Sequence, residues 1–228
     1  MIAVPDLNGG EYCIDSTEVT IHQYNDWLLN GAKPASDQPP ECSFNTDHTP
    51  KKGGGCDLFL FDELAAQMSA LPIACVNWCD AYAYCAWAGK RLCGKIGGGP
   101  SDFNSPADPS TNQWHRACSK DGVNKYSYGN THDPTKCIGN DHDGVAGYNT
   151  MTDVPHEVPT LTCEGGYPGL YDMSGNIAEW EDACDGFNNC LVRGGSDEND
   201  PPSLECAVTF GSQRSAARNE RGFRCCTD

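Results

Sequence analysis

The residues best suited to chemistry in this chain lie between residues 165 and 184, in the segment GGYPGLYDMSGNIAEWEDAC. This segment places the carboxylates of Asp172 and Glu179 close to a glycine-rich, turn-forming backbone. Carboxylate and carbonyl oxygens around a turn are the ligands that a hard cation such as calcium prefers. The pattern therefore predicts a calcium site, and the alternative is that both acids are simply exposed to solvent.

A second acidic cluster, Asn140-Asp141-His142-Asp143-Gly144, also ends in a glycine turn. It matches only a fragment of a calcium-binding loop, because no glutamate closes it at the required distance. Asp141 and Asp143 are therefore a weaker candidate ion site, and a solvated turn is the alternative.

Motifs for hydrolytic or zinc chemistry are absent. Neither G-x-S-x-G nor H-E-x-x-H occurs in the sequence. The histidines show no paired spacing that is typical of metal ligands; they are His22, His48, His115, His132, His142 and His156.

The elements that must position these acids are short. A capping box at Thr20 and Gln23 predicts a helix that ends near Gly31. A second helix is predicted from Asn77 to residue 88, with its aromatic face in the core rather than around a ligand. Weaker helical signals cover residues 57–71 and 114–118. Strand-like runs cover residues 11–15, 191–193, 213–217 and 222–226.

The chain has 228 residues, with 25 glycines and 15 prolines, so a large part of the fold must be loop. Its 15 cysteines are spread along the whole length and predict a disulfide framework made in an oxidising compartment. Zinc binding is the alternative, since Cys75, Cys79 and Cys85 imitate ligand spacing, but no C-x-x-C pair occurs. Because the number of cysteines is odd, at least one thiol is free or bonded outside the chain.

The formal net charge is −17, from 32 acidic and 15 basic residues. This charge argues against nucleic acid and anionic membranes as partners, because both would be repelled. No apolar run of about 18 residues is present, so no transmembrane helix is predicted. The N-terminal residues run straight into polar sequence, so we expect any export signal to have been removed.

Several short motifs follow one another in order. They are Thr17-Glu18-Val19-Thr20, Asn77-Trp78-Cys79-Asp80-Ala81, Tyr84-Cys85-Ala86-Trp87-Ala88-Gly89-Lys90-Arg91-Leu92, Tyr128-Gly129-Asn130, Gly169-Leu170-Tyr171-Asp172-Met173-Ser174-Gly175-Asn176-Ile177-Ala178-Glu179-Trp180, Arg193-Gly194-Gly195-Ser196, Ala216-Ala217-Arg218 and Gly222-Phe223-Arg224-Cys225. The series resembles the formylglycine-generating enzyme family, also called the sulfatase-modifying factor domain, over residues 11–226.

The resemblance implies one α+β domain over residues 1–228, rich in loops and related to the C-type lectin fold. It also implies a structural calcium ion. The ligands carried over from the family are the carboxylates of Asp172 and Glu179 and the backbone carbonyls of Gly175 and Ile177.

The resemblance further implies a disulfide between Cys85 and Cys225. A second family bridge would use Cys118, but Ser215 occupies the place of its partner, so we expect Cys118 to pair with Cys93. Proximity in the chain suggests three more bridges, and the remaining Cys226 would pair with Cys13. The three are Cys42–Cys56, Cys137–Cys163 and Cys184–Cys190.

The chain departs from the family at the catalytic centre. The family's enzymes use two cysteines shortly after the Gly-Gly-Ser turn to bind copper(I), which requires soft thiolate ligands. Counting from either flanking motif finds no thiol at the expected places, which are Asn199 and Leu204 from one side and Glu205 and Phe210 from the other. Cys206 lies in this stretch as a weak catalytic candidate, and one thiolate does not make the site. We therefore do not expect copper.

Two classes of function stay open, of which we favour the first. It is a non-catalytic extracytoplasmic module that binds a protein, peptide or glycan through the loop of residues 197–210. The resemblance places Arg193, Ser196 and Arg218 near that loop, because the family's substrate groove runs there, although each could equally be structural. The second class is a copper-dependent oxidoreductase that converts a substrate cysteine to formylglycine. The family's exported members favour a periplasmic, secreted or lipid-anchored protein of a bacterial envelope.

Overall fold

Helices and strands alternate with long loops in this computed structural model, which describes residues 1–32, 38–56, 61–145, 147 and 155–228. The helices of these residues are α1 (Ile21–Asn30), α2 (Phe61–Ala66), α3 (Trp78–Trp87) and α4 (Gln113–Ser119). The strands are β1 (Ile2–Pro5), β2 (Glu11–Ile14), β3 (Arg91–Leu92), β4 (Ala178–Cys184), β5 (Asn189–Arg193), β6 (Thr209–Gln213), β7 (Arg221–Gly222) and β8 (Cys225–Thr227). Short 3₁₀ turns lie at Pro40–Cys42, Leu161–Cys163 and Pro201–Leu204. The predicted loop-rich α+β class is confirmed.

The two longer helices begin where the sequence predicts them, because side chains satisfy their first amides. In α1, Thr20 Oγ1 accepts the amide of Gln23 at 3.2 Å, and Gln23 Oε1 accepts the amide of Thr20 at 2.9 Å. In α3, Asn77 and Asp80 exchange the same pair of bonds. Each box satisfies amides that have no partner inside the helix. Trp78 at the start of α3 is buried, as a core position should be.

The first sheet has the strand order β1-β2-β8-β3, and all its neighbouring strands are antiparallel. It therefore joins the first strand of the chain to the last. The pairing sets Ile14 opposite Cys226 and Cys13 opposite Thr227.

The second sheet has the order β6-β5-β4-β7, with β4 and β7 parallel and the other pairs antiparallel. The predicted strand at residues 191–193 lies in β5. The predicted strand at 213–217 is wrong, because the pairing with β5 runs over Thr209–Gln213. The predicted run at 222–226 is divided between β7 and β8, which belong to different sheets. Phe223 and Arg224, both fully buried, carry the chain between the sheets.

The core consists of two clusters of buried side chains. The larger lies between the helices α1–α3 and the second sheet, and includes Tyr24 stacked on Tyr84 at 5.7 Å. The smaller lies around β1, β2 and α4, and includes Trp114. Adjacent residues of a strand point to opposite faces of a sheet. Cys225 therefore belongs to the larger cluster and Cys226 to the smaller one.

Seven disulfides connect these elements, and Cys13 alone is free. Cys85 is bonded to Cys225, the pairing that the resemblance implies. The proximity bridges Cys137–Cys163 and Cys184–Cys190 also form. The remaining bridges are Cys42–Cys79, Cys56–Cys75, Cys93–Cys226 and Cys118–Cys206.

The predicted Cys42–Cys56 bridge is wrong, because the loop that carries Cys42 packs on the start of α3 instead of closing on itself. Asn45 and His48 both contact the Asp80 carboxylate in the first turn of α3, at 2.7 and 3.1 Å. These contacts bring Cys42 to Cys79, which lies next to Asp80. Distance along the chain was a poor guide to distance in space here.

The predicted Cys93–Cys118 and Cys13–Cys226 bridges are wrong for a reason of sheet geometry. β3 pairs with β8, which brings Cys93 beside Cys226. Cys13 lies one residue out of register with Cys226, so its side chain points to the opposite face of the sheet. Cys118 is bonded to Cys206 instead.

No described helix is long and apolar enough to cross a lipid bilayer.

Candidate functional site

The turn before β4 has a backbone that few residue types tolerate. Asp172 and Asn176 have positive φ angles of 60° and 64°, and Gly175 has 91°. A Cβ atom on Gly175 would lie 2.1 Å from the Ile138 carbonyl oxygen, so glycine is required there. Unusual backbone of this kind is concentrated at functional and structural sites. Through this turn, Asp172 and the β4 residue Glu179 both come close to the same buried cation, Arg224.

Glu179 is buried and fully engaged by hydrogen bonds. Arg224 donates from Nε to both carboxylate oxygens (2.8 and 2.9 Å) and from Nη2 to Oε1 (2.7 Å). Trp114 Nε1 donates to Oε2 at 2.8 Å. Burial by itself lowers the pKa of Arg224, but Glu179 and the neighbouring acids raise it above its usual value. Glu179 and Arg224 form a buried ion pair at the centre of the fold, with the bidentate geometry that makes such contacts strong.

Two further carboxylates lie near Arg224 and are less well satisfied. Asp172 Oδ2 accepts the amide of Thr160 at 2.9 Å, whereas Oδ1 is buried with no hydrogen-bond partner among the described residues. Glu18 Oε1 accepts from Asn176 at 3.1 Å, and its Oε2 lies 3.5 Å from Arg224 Nη2. Burial raises the pKa of Asp172 to about 6, and burial together with Asp172 raises the pKa of Glu18.

These contacts fit the expected calcium ligands in part. Asp172 offers one free carboxylate oxygen beside the turn that holds Gly175 and Ile177, which is the donor chemistry that calcium prefers. Glu179 does not offer a free oxygen, because Arg224 and Trp114 occupy both of its oxygens. Over the described ranges, no three His, Cys, Asp or Glu side chains form a group that could hold a metal ion.

The weaker acidic cluster is arranged around a histidine. Asp141 Oδ2 lies 2.9 Å from His132 Nε2, and His132 Nδ1 lies 3.2 Å from the hydroxyl of Tyr128. Asp143 is exposed and accepts the amide of Val145 at 2.8 Å. The structure thus pairs Asp141 with His132, and a shared ion of Asp141 and Asp143 stays a prediction.

Arg193 lies in the interior, where no ligand could contact it directly. It is fully buried and donates to Glu181 and to the carbonyls of Pro106 and Cys206, and it lies 5.6 Å from the Trp114 ring. Of its two possible roles, the structure therefore places Arg193 in the scaffold.

Ser196 closes the turn that follows β5. Its amide donates to Asn199 Oδ1 at 2.9 Å, and its hydroxyl accepts the amide of Glu198 at 3.3 Å. A Cβ on the preceding Gly195 would lie 2.7 Å from Leu204, so this turn packs directly on the loop after it. Ser196 is itself fully buried and therefore shapes the loop from within.

Cys206, the weak catalytic candidate, is bonded to Cys118 and is buried. Its carbonyl accepts from His115 Nδ1 at 3.0 Å and from Arg193 at 3.3 Å. A sulfur in a disulfide is no thiolate, so Cys206 offers no ligand to copper(I). The free cysteine, Cys13, lies on β2 in the first sheet. The thiol pair of the family's enzymes is therefore missing.

Arg218 is exposed at the surface near the 197–210 loop. Its Nη1 donates to the Gly54 carbonyl at 3.0 Å, and the neighbouring Asn219 donates to Glu198 at 3.1 Å. Of the three candidate ligand-binding residues, Arg218 is the one that the structure leaves partly accessible.

A family model described as the sulfatase-modifying factor enzyme 1-like domain matches residues 5–228. The chain belongs to this family. The match covers almost the whole chain, slightly more than the region of the sequence resemblance.

Two curated relatives are the inactive C-alpha-formylglycine-generating enzymes 2 of Mus musculus and Bos taurus. They are 26% and 27% identical to this sulfatase-modifying factor domain over 174 residues, which cover 68% of it. The same matches cover 48% and 49% of the relatives, so the chain spans about half their length. Both relatives are described as inactive, in agreement with the missing thiol pair.

Three solved structures share the fold over 96% of this chain. PvdO from Pseudomonas aeruginosa has a TM-score of 0.61 at 15% identity, with 80% of that chain covered. CarF and the variable protein 1 of Treponema denticola both have a TM-score of 0.57, at 19% and 18% identity, with 86% and 84% covered. These identities are low, so the likeness concerns the fold alone.

Sequence reasoning missed three residues that organise the site. Arg224 lies within one of the family motifs, yet its partner Glu179 cannot be inferred from a separation of 45 residues. Glu18 also lies in a family motif, and the motif alone assigns it no role. Asp197 begins the predicted 197–210 loop but has no role of its own in that prediction, although the run Asp197-Glu198-Asn199-Asp200 directly after the Gly-Gly-Ser turn is a visible signal.

Proposed function

We propose that this chain is a non-catalytic binding domain on the formylglycine-generating enzyme scaffold, and that the loop of residues 197–210, called the recognition loop below, contacts its partner. The observation that carries the proposal is the Cys118–Cys206 disulfide. It uses the single cysteine of the recognition loop for structure. The inactive relatives support the same conclusion.

The recognition loop combines a fixed base with a polar surface. Leu204 is buried against Gly195. Cys206 is anchored by its disulfide and by the hydrogen bond that its backbone amide donates to the Lys125 carbonyl at 2.8 Å. Asp197, Glu198, Asp200 and Glu205 give the loop four carboxylates and no basic residue. Loops held on a rigid scaffold are common sites of recognition. The relation to C-type lectin folds stays part of this proposal.

Calcium is the second part of the proposal. The free Oδ1 of Asp172, together with the carbonyls of Gly175 and Ile177, would hold the ion, while Glu179 stays bonded to Arg224 and Trp114. The ion would neutralise a buried carboxylate that has only one hydrogen bond in the described structure. Its role would be to stabilise the turn and not to take part in a reaction.

The seven disulfides favour an oxidising, extracytoplasmic location, and we propose a periplasmic, secreted or lipid-anchored protein. The partner would be a protein, peptide or glycan. Nucleic acid is disfavoured as a partner by the net charge of −17.

Counting thiols tests the non-catalytic assignment. We expect one reactive thiol, that of Cys13, in the protein unfolded without reductant, and no tight stoichiometric binding of copper(I). The Cys13→Ser variant should then have no reactive thiol. Two accessible thiols together with tight copper(I) binding would instead support the oxidoreductase and overturn the proposal.

A further inference from the structure

Asp197 is a buried carboxylate that forms no ion pair with the described residues. It is 4% exposed, and its Oδ1 atom has no hydrogen-bond partner in the described ranges. Its own amide donates to the Asn176 carbonyl at 3.1 Å, which fixes the backbone of the residue. Burying a carboxylate oxygen without a partner is unfavourable, so the Oδ1 atom of Asp197 calls for an explanation.

The charged groups around Asp197 make its position less favourable still. Burial raises its pKa to about 8, and Glu198 and Glu220 contribute to the shift. The nearby arginines are directed elsewhere. Arg221 Nε lies 3.3 Å from Glu220, and Arg218 donates to the Gly54 carbonyl. Within the described residues, no basic side chain is paired with Asp197.

The three carboxylates are graded from the interior to the solvent. Asp197 is buried, whereas Glu198 and Glu220 are half-buried. Glu198 uses Oε1 to accept from Asn219 at 3.1 Å, which holds it toward residues 218–221. The cluster thus has one inner acid without a partner and two outer acids near the surface.

The kind of cation follows from the spacing of these acids. They do not form a group that could hold a metal ion over the described part of the chain. A guanidinium or ammonium group presents several N–H donors, so it can serve carboxylates that are too far apart to share one metal. Lysine and arginine also have long apolar stems, which allow the charge to reach a buried acid while the backbone stays at the surface.

We propose that Asp197, flanked by Glu198 and Glu220, receives a lysine or arginine side chain from a basic peptide segment of the partner. The inference rests on the proposed function of the recognition loop and names its partner class. Asp197 is the first residue of that loop and directly follows the buried Ser196. The net charge of −17 would attract such a segment and accelerate its association.

The proposal is tested by calorimetry with short capped peptides of the form Gly-Ser-X-Ser-Gly, in which X is arginine, lysine or the neutral arginine isostere citrulline. The protein variants are Asp197→Asn and Glu198→Gln, with Glu63→Gln as the matched control. Glu63 is exposed on α2, and its replacement removes the same single charge. The titrations are run at about 0.15 M salt, where long-range attraction is screened.

We expect the arginine or lysine peptide to bind, and the citrulline peptide to bind at least about tenfold more weakly. Asp197→Asn should weaken binding by about tenfold or more, Glu198→Gln by a smaller factor, and Glu63→Gln not measurably. Preference for arginine over lysine would indicate paired contacts with two acids. Glu198→Gln keeps the test decisive if Asp197→Asn does not fold.

Equal binding of citrulline, equal weakening by Glu63→Gln, or no binding of either cationic peptide would overturn the inference. A thiol count of one without copper(I) binding would leave the non-catalytic assignment standing in that case. The two proposals therefore fail in distinguishable ways.

Discussion

Glu179 and Asp197 are both buried acids that follow a glycine turn of the family pattern, but their surroundings are opposite. Glu179 receives three hydrogen bonds from Arg224 and one from Trp114, whereas Asp197 Oδ1 has no partner in the described residues. A compensated buried charge can be maintained as part of a scaffold. An uncompensated one is costly to folding, and it is retained where binding of a ligand offsets the cost.

Asp172 stands between these two cases. One of its oxygens is bonded to the Thr160 amide and the other is free. Its neighbour Arg224 is already committed to Glu179. Buried acids thus have three roles in this one domain. Glu179 belongs to a fixed ion pair, Asp172 is a candidate calcium ligand, and Asp197 is a candidate contact for a partner.

Replacing Arg224, the cation that pairs with the buried acids of the scaffold, should cause the largest loss of stability. We expect Arg224→Met to lower the free energy of unfolding by about 3–5 kcal/mol, because it leaves Glu179 and Glu18 buried without a cation. Urea denaturation measures the loss. The matched control is Arg218→Met at the surface, which should cost less than about 1 kcal/mol. A similar loss in both variants would remove the distinction between scaffold and surface.

The anchor of the recognition loop should come next. Replacing both Cys118 and Cys206 by serine opens a bridge between residues 88 positions apart. We expect a loss of about 2–4 kcal/mol in the free energy of unfolding. Thermal and urea denaturation under non-reducing conditions measure it. An unchanged stability would contradict the anchoring role of the bridge. A gain of copper(I) binding in the single variant Cys118→Ser would mean that Cys206 has more than a structural role.

Local signals in the sequence accounted for the parts of the fold that depend on neighbours in the chain. The caps at Thr20 and Asn77 set the helix starts, and the Cys184–Cys190 bridge closes a hairpin between β4 and β5. What the sequence could not predict depends on contacts across the fold. The partner of Cys93 follows from the pairing of β3 with β8, and the partner of Glu179 lies 45 residues away.

The same limit explains why the sequence alone could not assign different roles to the buried acids. Asp172 and Glu179 look alike as carboxylates beside a turn, and the arrival of Arg224 from the end of the chain makes them different. Arg193 and Ser196 belong to the family pattern, yet burial removes both from direct contact with a ligand. Sequence patterns indicate the candidate residues, whereas burial and hydrogen-bond partners decide what each residue can contact.

A calcium ion at Asp172 should have an intermediate effect. If calcium binds, a free calcium concentration of about 100 times the dissociation constant adds about 2.7 kcal/mol to the free energy of unfolding. We therefore expect a chelator to lower the melting temperature of the wild-type protein. Asp172→Asn should lower it as well and should abolish the response to chelator. Glu63→Gln, exposed on α2 and outside both acidic clusters, is the matched control and should keep the response. No chelator effect on the wild type would contradict the calcium proposal.

Asp197→Asn should change stability in the opposite direction to the other variants. Because burial and the neighbouring acids raise the folded-state pKa of Asp197 to about 8 from 3.8, the wild-type protein loses stability as the pH rises through this range. The asparagine does not titrate, so the variant should be the more stable protein near pH 9, by an amount on the order of a few kcal/mol, with a smaller difference near pH 5. Urea denaturation at both pH values measures the difference, and Glu63→Gln should show no such dependence on pH. Stability that falls in Asp197→Asn at high pH would show that the folded protein already compensates this carboxylate, and the contrast with Glu179 would disappear.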